Sequence, residues 1–369
     1  GLITLGCKVN QYESEAIAER FADAGFTVTP TGEGCDITVI NTCTVTAESD
    51  RKARQMIRRA VTANPDGYVL VTGCLAQTSP DQAASIAGVD FVCGNTDKQA
   101  VVDAAKRLVL QGHKNDRTEV LHRALDGSGF EEMSISHFDR TRAYIKIEDG
   151  CENKCAYCTI PAARGPVRSK RPEAVLNEVR TLVSGGCREV VLTGIETASY
   201  GHDLNGCGLA DLLEAVDAIP GIGRVRLGSL DPSLMKQDFV DRIARLPSLA
   251  PHFHLSIQSG SDTVLARMRR KYNSRMALAG MERLRRAMPG VQFTTDMIVG
   301  FPQETDAEFE ETLEFARQAR FLMIHVFRYS RRAGTVAAGM PGQVPEAVKA
   351  ARSHRLSELE TGVRKAILD

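Results

Sequence analysis

Tryptophan is absent from this 369-residue chain, and aromatic residues of all kinds make up only 5% of it. Flat platforms on which unpaired bases stack are therefore scarce. Net charge is missing too, since 46 Lys and Arg balance 46 Asp and Glu. No global field draws the chain to nucleic acid or to an anionic membrane, so any RNA contact must come from local patches. No apolar run is long enough to cross a bilayer and no export signal is visible, so the expected location is cytoplasmic, with no membrane partner. Repeats of short period and low-complexity segments are lacking as well. The chain opens at Gly1 without an initiating Met and stops at Asp369 after a helical stretch, so both ends are expected to be cut points.

Cysteine is not scarce. Ten are present in a chain that is 43% apolar and 25% charged, a composition that supports full-sized cores and excludes disorder. Without an export signal, ten cysteines fit reduced thiols that bind metal better than they fit disulfides.

Apolar runs alternate with helical patterns from the first residue, which predicts parallel sheets with crossover helices. In the first third, strands are expected at 2–5, 37–41, 68–72 and 89–92, with helices at 13–24, 47–62 and 97–110. That describes a small doubly wound sheet over residues 1–110. Residues 111–140 are polar and aperiodic, and read as a connector that includes a short hairpin. From 141 to 369, six strand–helix units follow, with strands near 143–148, 189–193, 224–228, 252–257, 292–299 and 323–329. Six units are fewer than the eight of a closed barrel. An open, partial barrel is the expectation.

The most informative run is Gly150-Cys151-Glu152-Asn153-Lys154-Cys155-Ala156-Tyr157-Cys158, three cysteines at CxxxCxxC spacing just after an apolar strand. A cubane of four irons takes thiolate ligands and normally four of them. Three close ligands without a fourth suggest an iron left open, as catalytic zinc sites keep an open position. A structural zinc site with its fourth ligand elsewhere is the alternative. Cys7, Cys43 and Cys74 are far apart in sequence, yet each lies just past the end of an expected strand. In open α/β sheets that edge is where ligands bind. Either the three thiols converge there, with Gly6, Thr42 and Gly73 leaving room, or they are ordinary buried cysteines.

The stretches around these cysteines carry a resemblance. Thr4-Leu5-Gly6-Cys7-Lys8-Val9-Asn10-Gln11, Asn41-Thr42-Cys43-Thr44-Val45-Thr46 and Gly73-Cys74-Leu75-Ala76-Gln77 resemble the N-terminal signatures of the radical S-adenosylmethionine (SAM) methylthiotransferases. The CxxxCxxC run, Arg164-Gly165-Pro166-Val167-Arg168-Ser169, His254-Leu255-Ser256-Ile257-Gln258-Ser259-Gly260-Ser261 and Thr295-Asp296-Met297-Ile298-Val299-Gly300-Phe301-Pro302 continue it in the expected order. Within that family, Cys-Lys-Val-Asn-Gln looks like the MtaB group, which acts on N6-threonylcarbamoyladenosine next to the tRNA anticodon. The groups acting on isopentenyladenosine or on a ribosomal-protein aspartate are the alternatives, and a non-catalytic metal- or SAM-binding protein is a more distant one.

The resemblance implies a flavodoxin-like domain followed by a partial (β/α)6 barrel, two 4Fe-4S clusters, and SAM as both radical source and methyl donor. Cys151, Cys155 and Cys158 would hold the cluster that cleaves SAM; Cys7, Cys43 and Cys74 would hold the one that carries sulfur. Expected SAM neighbours are Tyr157, Gly194, Ser229, Asp231, Gln258 and Asp296. Glu196 stands where the group more often has His; it would contact the SAM amine or lie in solvent. No acid–base triad is expected beyond these. Cys35, Cys93, Cys187 and Cys207 carry no motif, and His252, His254 and His325 are expected to be packed or hydrogen-bonded. For the tRNA anticodon loop, the basic groups are Arg51, Lys52, Arg54, Arg58 and Arg59; Arg164, Arg168, Lys170 and Arg171; and Arg267, Arg269, Arg270 and Lys271. Each would neutralise phosphates or form a solvated face. The family's C-terminal RNA-binding module (TRAM) does not follow here, which would weaken tRNA affinity. An electron donor and a sulfur donor are also implied.

Overall fold

The computed structural model describes residues 1–29, 34–138 and 140–369. They divide into two packing units: residues 1–152 with 159–187, and residues 153–158 with 188–369.

The first unit begins with β1 (Leu2–Thr4), α1 (Lys8–Asp23), β2 (Ile37–Thr42), α2 (Ala47–Ala63) and β3 (Tyr68–Gly73). It continues through α3 (Cys74–Thr78), α4 (Pro80–Ala84), β4 (Phe91–Cys93), α5 (Gln99–Gln111) and β5 (Glu119–Leu121). The five strands form one parallel sheet in the order β1-β2-β3-β4-β5. Val69, Val71 and Ile40 turn one face of it toward Ala53 and Ile57 of α2 and toward Leu75 and Ala83, all fully buried. Helix α5 packs on α1 and on β3 and β4. After α1 the chain returns past the outer edge of β1, where the Leu2 amide donates to the Thr29 carbonyl at 3.3 Å. It then crosses to β2 on the other side of β1. The direction of winding therefore reverses at β1 and β2, and the crevice at such a reversal lies at the carboxyl ends of those strands.

One expectation fails here. Among the described residues the connector holds no hairpin; residues 119–121 add a fifth parallel strand, with Phe91 opposite Glu119 and Cys93 opposite Leu121. Three residues, two of them exposed, are too few for a periodic signal.

The rest of the first unit is β6 (Ala143–Lys146), β7 (Glu148–Asp149), α6 (Ile160–Arg164), β8 (Arg168–Ser169) and α7 (Pro172–Ser184). Strands β7 and β8 form a short antiparallel ribbon, and α1 packs against β6.

The second unit contains β9 (Glu189–Thr193), α8 (Leu209–Asp217), β10 (Arg224–Leu227), β11 (Ser229–Leu230), α9 (Gln237–Ile243) and β12 (His252–Gln258). After these come α10 (Asp262–Arg267), α11 (Ser274–Ala287), β13 (Gln292–Val299), α12 (Asp306–Ala319), β14 (Met323–Arg328) and α13 (Glu346–Leu368). Strands β9 and β10 pair in parallel, and β11-β12-β13-β14 form a second parallel sheet. Along β12 burial alternates: Phe253, Leu255 and Ile257 are buried, while His252, His254, Ser256 and Gln258 face a more open side. The period of 2 puts the polar set on one face. Among the described residues, the second unit carries five of the six strands expected from residue 141 onward (β9, β10, β12, β13 and β14), and the first of the six, β6, falls in the first unit.

Candidate cluster and cofactor sites

Cys7 caps the start of α1, Cys43 follows β2, and Cys74 opens α3 immediately after β3. The winding reversal brings the first two to the same edge. The three thiols are close enough to act electrostatically on one another, with Arg164 beside them. Although Cys7 keeps an exposed surface, close-packed protein around its sulfur, opposed by Arg164 and reinforced by Cys74 and Cys43, pushes its thiol up to about 11. Burial raises the Cys43 thiol as well. Cys7 and Cys43 are therefore held as neutral thiols in the metal-free chain, and a metal centre must displace their protons to bind them.

The walls fit such a centre. Gly6 (φ +110°) has no room for a side chain, because a Cβ there would sit 2.9 Å from the Cβ of Cys43. At Gly73 (φ +97°) it would lie 2.5 Å from both Asn41 Oδ1 and the Thr42 carbonyl. Asn41 Oδ1 itself is buried and, among the described residues, makes no hydrogen bond. Amide side chains bracket the sulfurs: Cys7 Sγ donates to Asn10 Oδ1 at 3.8 Å, and Asn95 Nδ2 donates to Cys74 Sγ at 3.6 Å.

Behind this cradle lies a buried ionic network that sequence reasoning missed. Glu13 on α1 touches Arg164, accepts from Lys146 Nζ at 2.7 Å, and lies 4.0 Å from Lys98. Burial opposes a charge at Glu13, but Arg164, Lys146 and Lys98 outweigh it and hold the carboxyl well below its ordinary range. Arg164 Nη2 also donates to Asn10 Oδ1 at 2.7 Å, so it is one side chain away from Cys7.

This overturns the reading of Arg164, Arg168 and Lys170 as phosphate contacts or a solvated face. Their exposures are 0%, 5% and 1%. Arg168 donates to the Arg164 carbonyl at 2.7 Å, and Lys170 pairs with Glu178 at 2.5 Å. Of that group only Arg171 is exposed.

In the CxxxCxxC run, Cys151 belongs to the first unit, where its amide donates to the Gly165 carbonyl at 3.0 Å. Cys155 and Cys158 belong to the second, where the Cys158 amide donates to the Cys155 carbonyl at 3.1 Å. The Ala156 amide ties the loop to the Met268 carbonyl at 3.0 Å. Tyr157 is half-buried and meets Phe301 edge-on at 6.5 Å between ring centres.

A polar cluster surrounds Cys155. Arg270 Nη1 donates to Cys155 Sγ at 3.1 Å, and Arg270 Nη2 donates to Asp231 Oδ2 at 2.9 Å and to the Ser256 carbonyl at 3.0 Å. Sequence reasoning grouped Arg270 with a surface patch, yet its side chain is 5% exposed. Arg267, from the same group, is spent on Glu308 at 2.8 Å; Arg269 and Lys271 are exposed. Glu196 does not lie in solvent. It is buried and accepts from Asn153 Nδ2 at 3.4 Å. Burial, with the charge of Asp231 nearby, pushes its carboxyl up to about 7.

The remaining expected SAM neighbours lie in this second unit. Gly194 directly follows β9, and Ser229 opens β11 opposite His254. Gln258 ends β12 at a break in register and takes a left-handed φ of +65°. A non-glycine residue held there is strained, which is characteristic of working sites. Asp296 lies mid-strand on β13, with its Oδ2 3.3 Å from His254 Nε2, while Thr294 Oγ1 holds His254 Nδ1 at 3.0 Å. His252 bonds the same hydroxyl at 3.2 Å. Of the motif-free cysteines, Cys93 and Cys187 are buried, and Cys35 and Cys207 are half-buried.

A doubly wound α/β unit with three converging thiols, followed by a parallel β/α series introduced by CxxxCxxC, defines an iron–sulfur enzyme of the radical SAM class. Comparison with known proteins agrees: the radical SAM superfamily matches residues 145–316, and an uncharacterized protein family, UPF0004, matches residues 1–94. The Bacillus subtilis threonylcarbamoyladenosine tRNA methylthiotransferase MtaB is 43% identical over 98% of this chain and 80% of its own length. The Thermotoga maritima protein of the same name is 42% identical over 96% of this chain and 80% of its length. The chain belongs to the radical SAM methylthiotransferase family. Among solved structures, the radical SAM methyltransferase TsrM from Kitasatospora setae shares the fold, with a TM-score of 0.63 at 15% identity over 91% of this chain and 76% of TsrM. No helix among the described residues is long and apolar enough to cross a membrane.

Proposed function

We propose that this chain is a tRNA methylthiotransferase that converts N6-threonylcarbamoyladenosine beside the anticodon to its 2-methylthio form. The observation that carries the reading is 43% identity, spread over 98% of the chain, to a relative named for that substrate. The proposed architecture is an N-terminal cluster domain (1–110), a connector (111–140) and a radical SAM partial barrel (141–369). It carries with it a tRNA partner, an electron donor, a sulfur donor and a cytoplasmic location.

Cys7, Cys43 and Cys74 would hold one 4Fe-4S cluster, and Cys151, Cys155 and Cys158 the other. When bound, these groups and SAM supply the one-electron and sulfur chemistry that an unactivated adenine carbon–hydrogen bond demands. The chain's own task is binding, orientation and exclusion. Gly194 leaves space at the end of β9, Ser229 and the strained Gln258 offer polar groups at strand ends, and Tyr157 offers a ring beside the cysteine loop. Asp231 and Asp296 complete the proposed SAM set, each already oriented by a cation or an imidazole. Glu196, with a carboxyl near 7, holds or releases a proton within this polar cluster at neutral pH. For tRNA, the basic face that remains is α2, where Arg51, Lys52, Arg58 and Arg59 are exposed beside a half-buried Arg54.

Anaerobic reconstitution tests the reading. About eight irons and eight sulfides per chain, with release of 5′-deoxyadenosine from SAM under reductant, support it. One or two zincs and no sulfide would sink it.

A further inference from the structure

We infer that Arg270 is a positioning residue for the SAM-cleaving cluster: its guanidinium hydrogen-bonds the sulfur of Cys155 and sets the electron affinity of whatever that sulfur ligates. The inference rests on the reading that Cys151, Cys155 and Cys158 hold a cluster, and it adds a control element to that site.

The geometry is that of a built contact. Arg270 lies in the segment between α10 and α11, and its Nη1 reaches Cys155 Sγ at 3.1 Å. Every other edge of the guanidinium is committed. Nε donates to Tyr272 Oη at 3.1 Å; Nη2 donates to Asp231 Oδ2 at 2.9 Å and to the Ser256 carbonyl at 3.0 Å. The Tyr272 ring lies under the guanidinium at 5.0 Å, and its hydroxyl is fixed in turn by the Ser256 and Ile257 carbonyls. Arg270 and Asp231 side chains are 5% and 8% exposed. A planar fork with several fixed partners is pre-organised, so aiming one nitrogen at sulfur costs little further entropy.

The consequence is electrostatic. Hydrogen bonds to ligand sulfurs are among the features that set iron–sulfur potentials. A buried cation beside a thiolate favours the more negative, reduced state of the centre and raises its potential. Asp231 acts the opposite way, because its carboxylate partly neutralises the Arg270 charge at the same spot. Removing the two partners must therefore move the potential in opposite directions. A residue that merely braces the loop would not produce that pair of signs.

The test is a redox titration of the reconstituted holoenzyme followed by electron paramagnetic resonance, using the signal that SAM perturbs. Arg270→Gln should shift its midpoint to more negative values and Asp231→Asn to more positive ones, with iron and sulfide per chain unchanged. Arg270→Lys, which keeps charge but loses the fork, should fall between wild type and Arg270→Gln. SAM affinity, measured by equilibrium dialysis, provides a second readout. An unchanged midpoint in both Arg270 variants, whether or not SAM binding weakens, would overturn the inference. Arg270→Lys guards against misfolding of the uncharged variant. Failure of the underlying reading would look different: wild-type protein would show no SAM-perturbed signal at all.

Discussion

Arg164 and Glu13 are in direct contact although 151 residues separate them in the chain, and neither has any solvent exposure. The contact ties the segment that follows the CxxxCxxC run to the first helix, nearly two turns beyond Cys7. A buried pair of this kind is weak evidence of net stability, since desolvation offsets most of the attraction. Breaking it is another matter, because the surviving charge stays buried. Arg164→Met should lower unfolding free energy by about 3–5 kcal/mol. It should also lower iron retention by the Cys7, Cys43 and Cys74 set, because Asn10 loses the guanidinium that orients it. Urea denaturation of the metal-free chain checks the first effect. A loss under about 1 kcal/mol would mean that the network relaxes around the gap.

The two cysteine sets should fail differently. Cys155→Ala is expected to abolish SAM cleavage, whereas Cys43→Ala should leave cleavage and stop sulfur insertion. The assay is 5′-deoxyadenosine release alongside methylthio product. Equal loss of cleavage in both variants would contradict a division of labour between the sites.

Glu196 makes stability depend on pH in a defined direction. Its carboxyl is raised to about 7 in the fold, against an ordinary value of 4.5. The folded state therefore holds this proton more tightly than the unfolded chain does. The stabilising contribution is complete below about pH 4.5 and is lost as pH rises through 7. Glu196→Gln, which mimics the protonated form, should match wild type near pH 4. At pH 8 it should exceed wild type by at most ~3 kcal/mol. Chemical denaturation of the metal-free chain at the two values reads this out. A gap that is independent of pH would show that Glu196 does not titrate in this window.

On α2, Arg51 is partly neutralised by Glu48 at 2.6 Å, which leaves Arg58 and Arg59 as exposed cations that make no ion pair among the described residues. If that face meets tRNA, Arg58→Ala with Arg59→Ala should weaken binding and reduce the salt slope by about 1 per lost phosphate contact. Filter binding at several salt concentrations measures it. Weaker binding with an unchanged slope would point to a structural effect.

Much of this molecule was legible from sequence because its strands are buried and its helices periodic. The strand expected at 189–193 has those bounds, and the strand at 292–299 likewise. The three distant cysteines were legible through topology: ends of parallel strands share an edge, whatever their separation in the chain. The buried charges were not. Arg164 meets Glu13 across 151 residues, and although Arg168 and Lys170 have partners within eight residues, the Arg164 carbonyl and Glu178, no periodic signal marks the two as buried. Arg270 lies 115 residues from the sulfur it meets. A run of basic residues reads as surface unless its counter-charges are also local. The fifth strand of the first sheet, β5, was lost for a simpler reason: three edge residues cannot show a period.

The central claim is the reaction on a particular tRNA nucleoside, and nucleoside mass spectrometry tests it most directly. Cluster-loaded protein, SAM and reductant would be incubated anaerobically with tRNA containing N6-threonylcarbamoyladenosine and, separately, with tRNA containing isopentenyladenosine. The account predicts the 2-methylthio derivative in the first reaction and none in the second. Product only in the second, or unmodified nucleoside in both despite SAM cleavage, would contradict it.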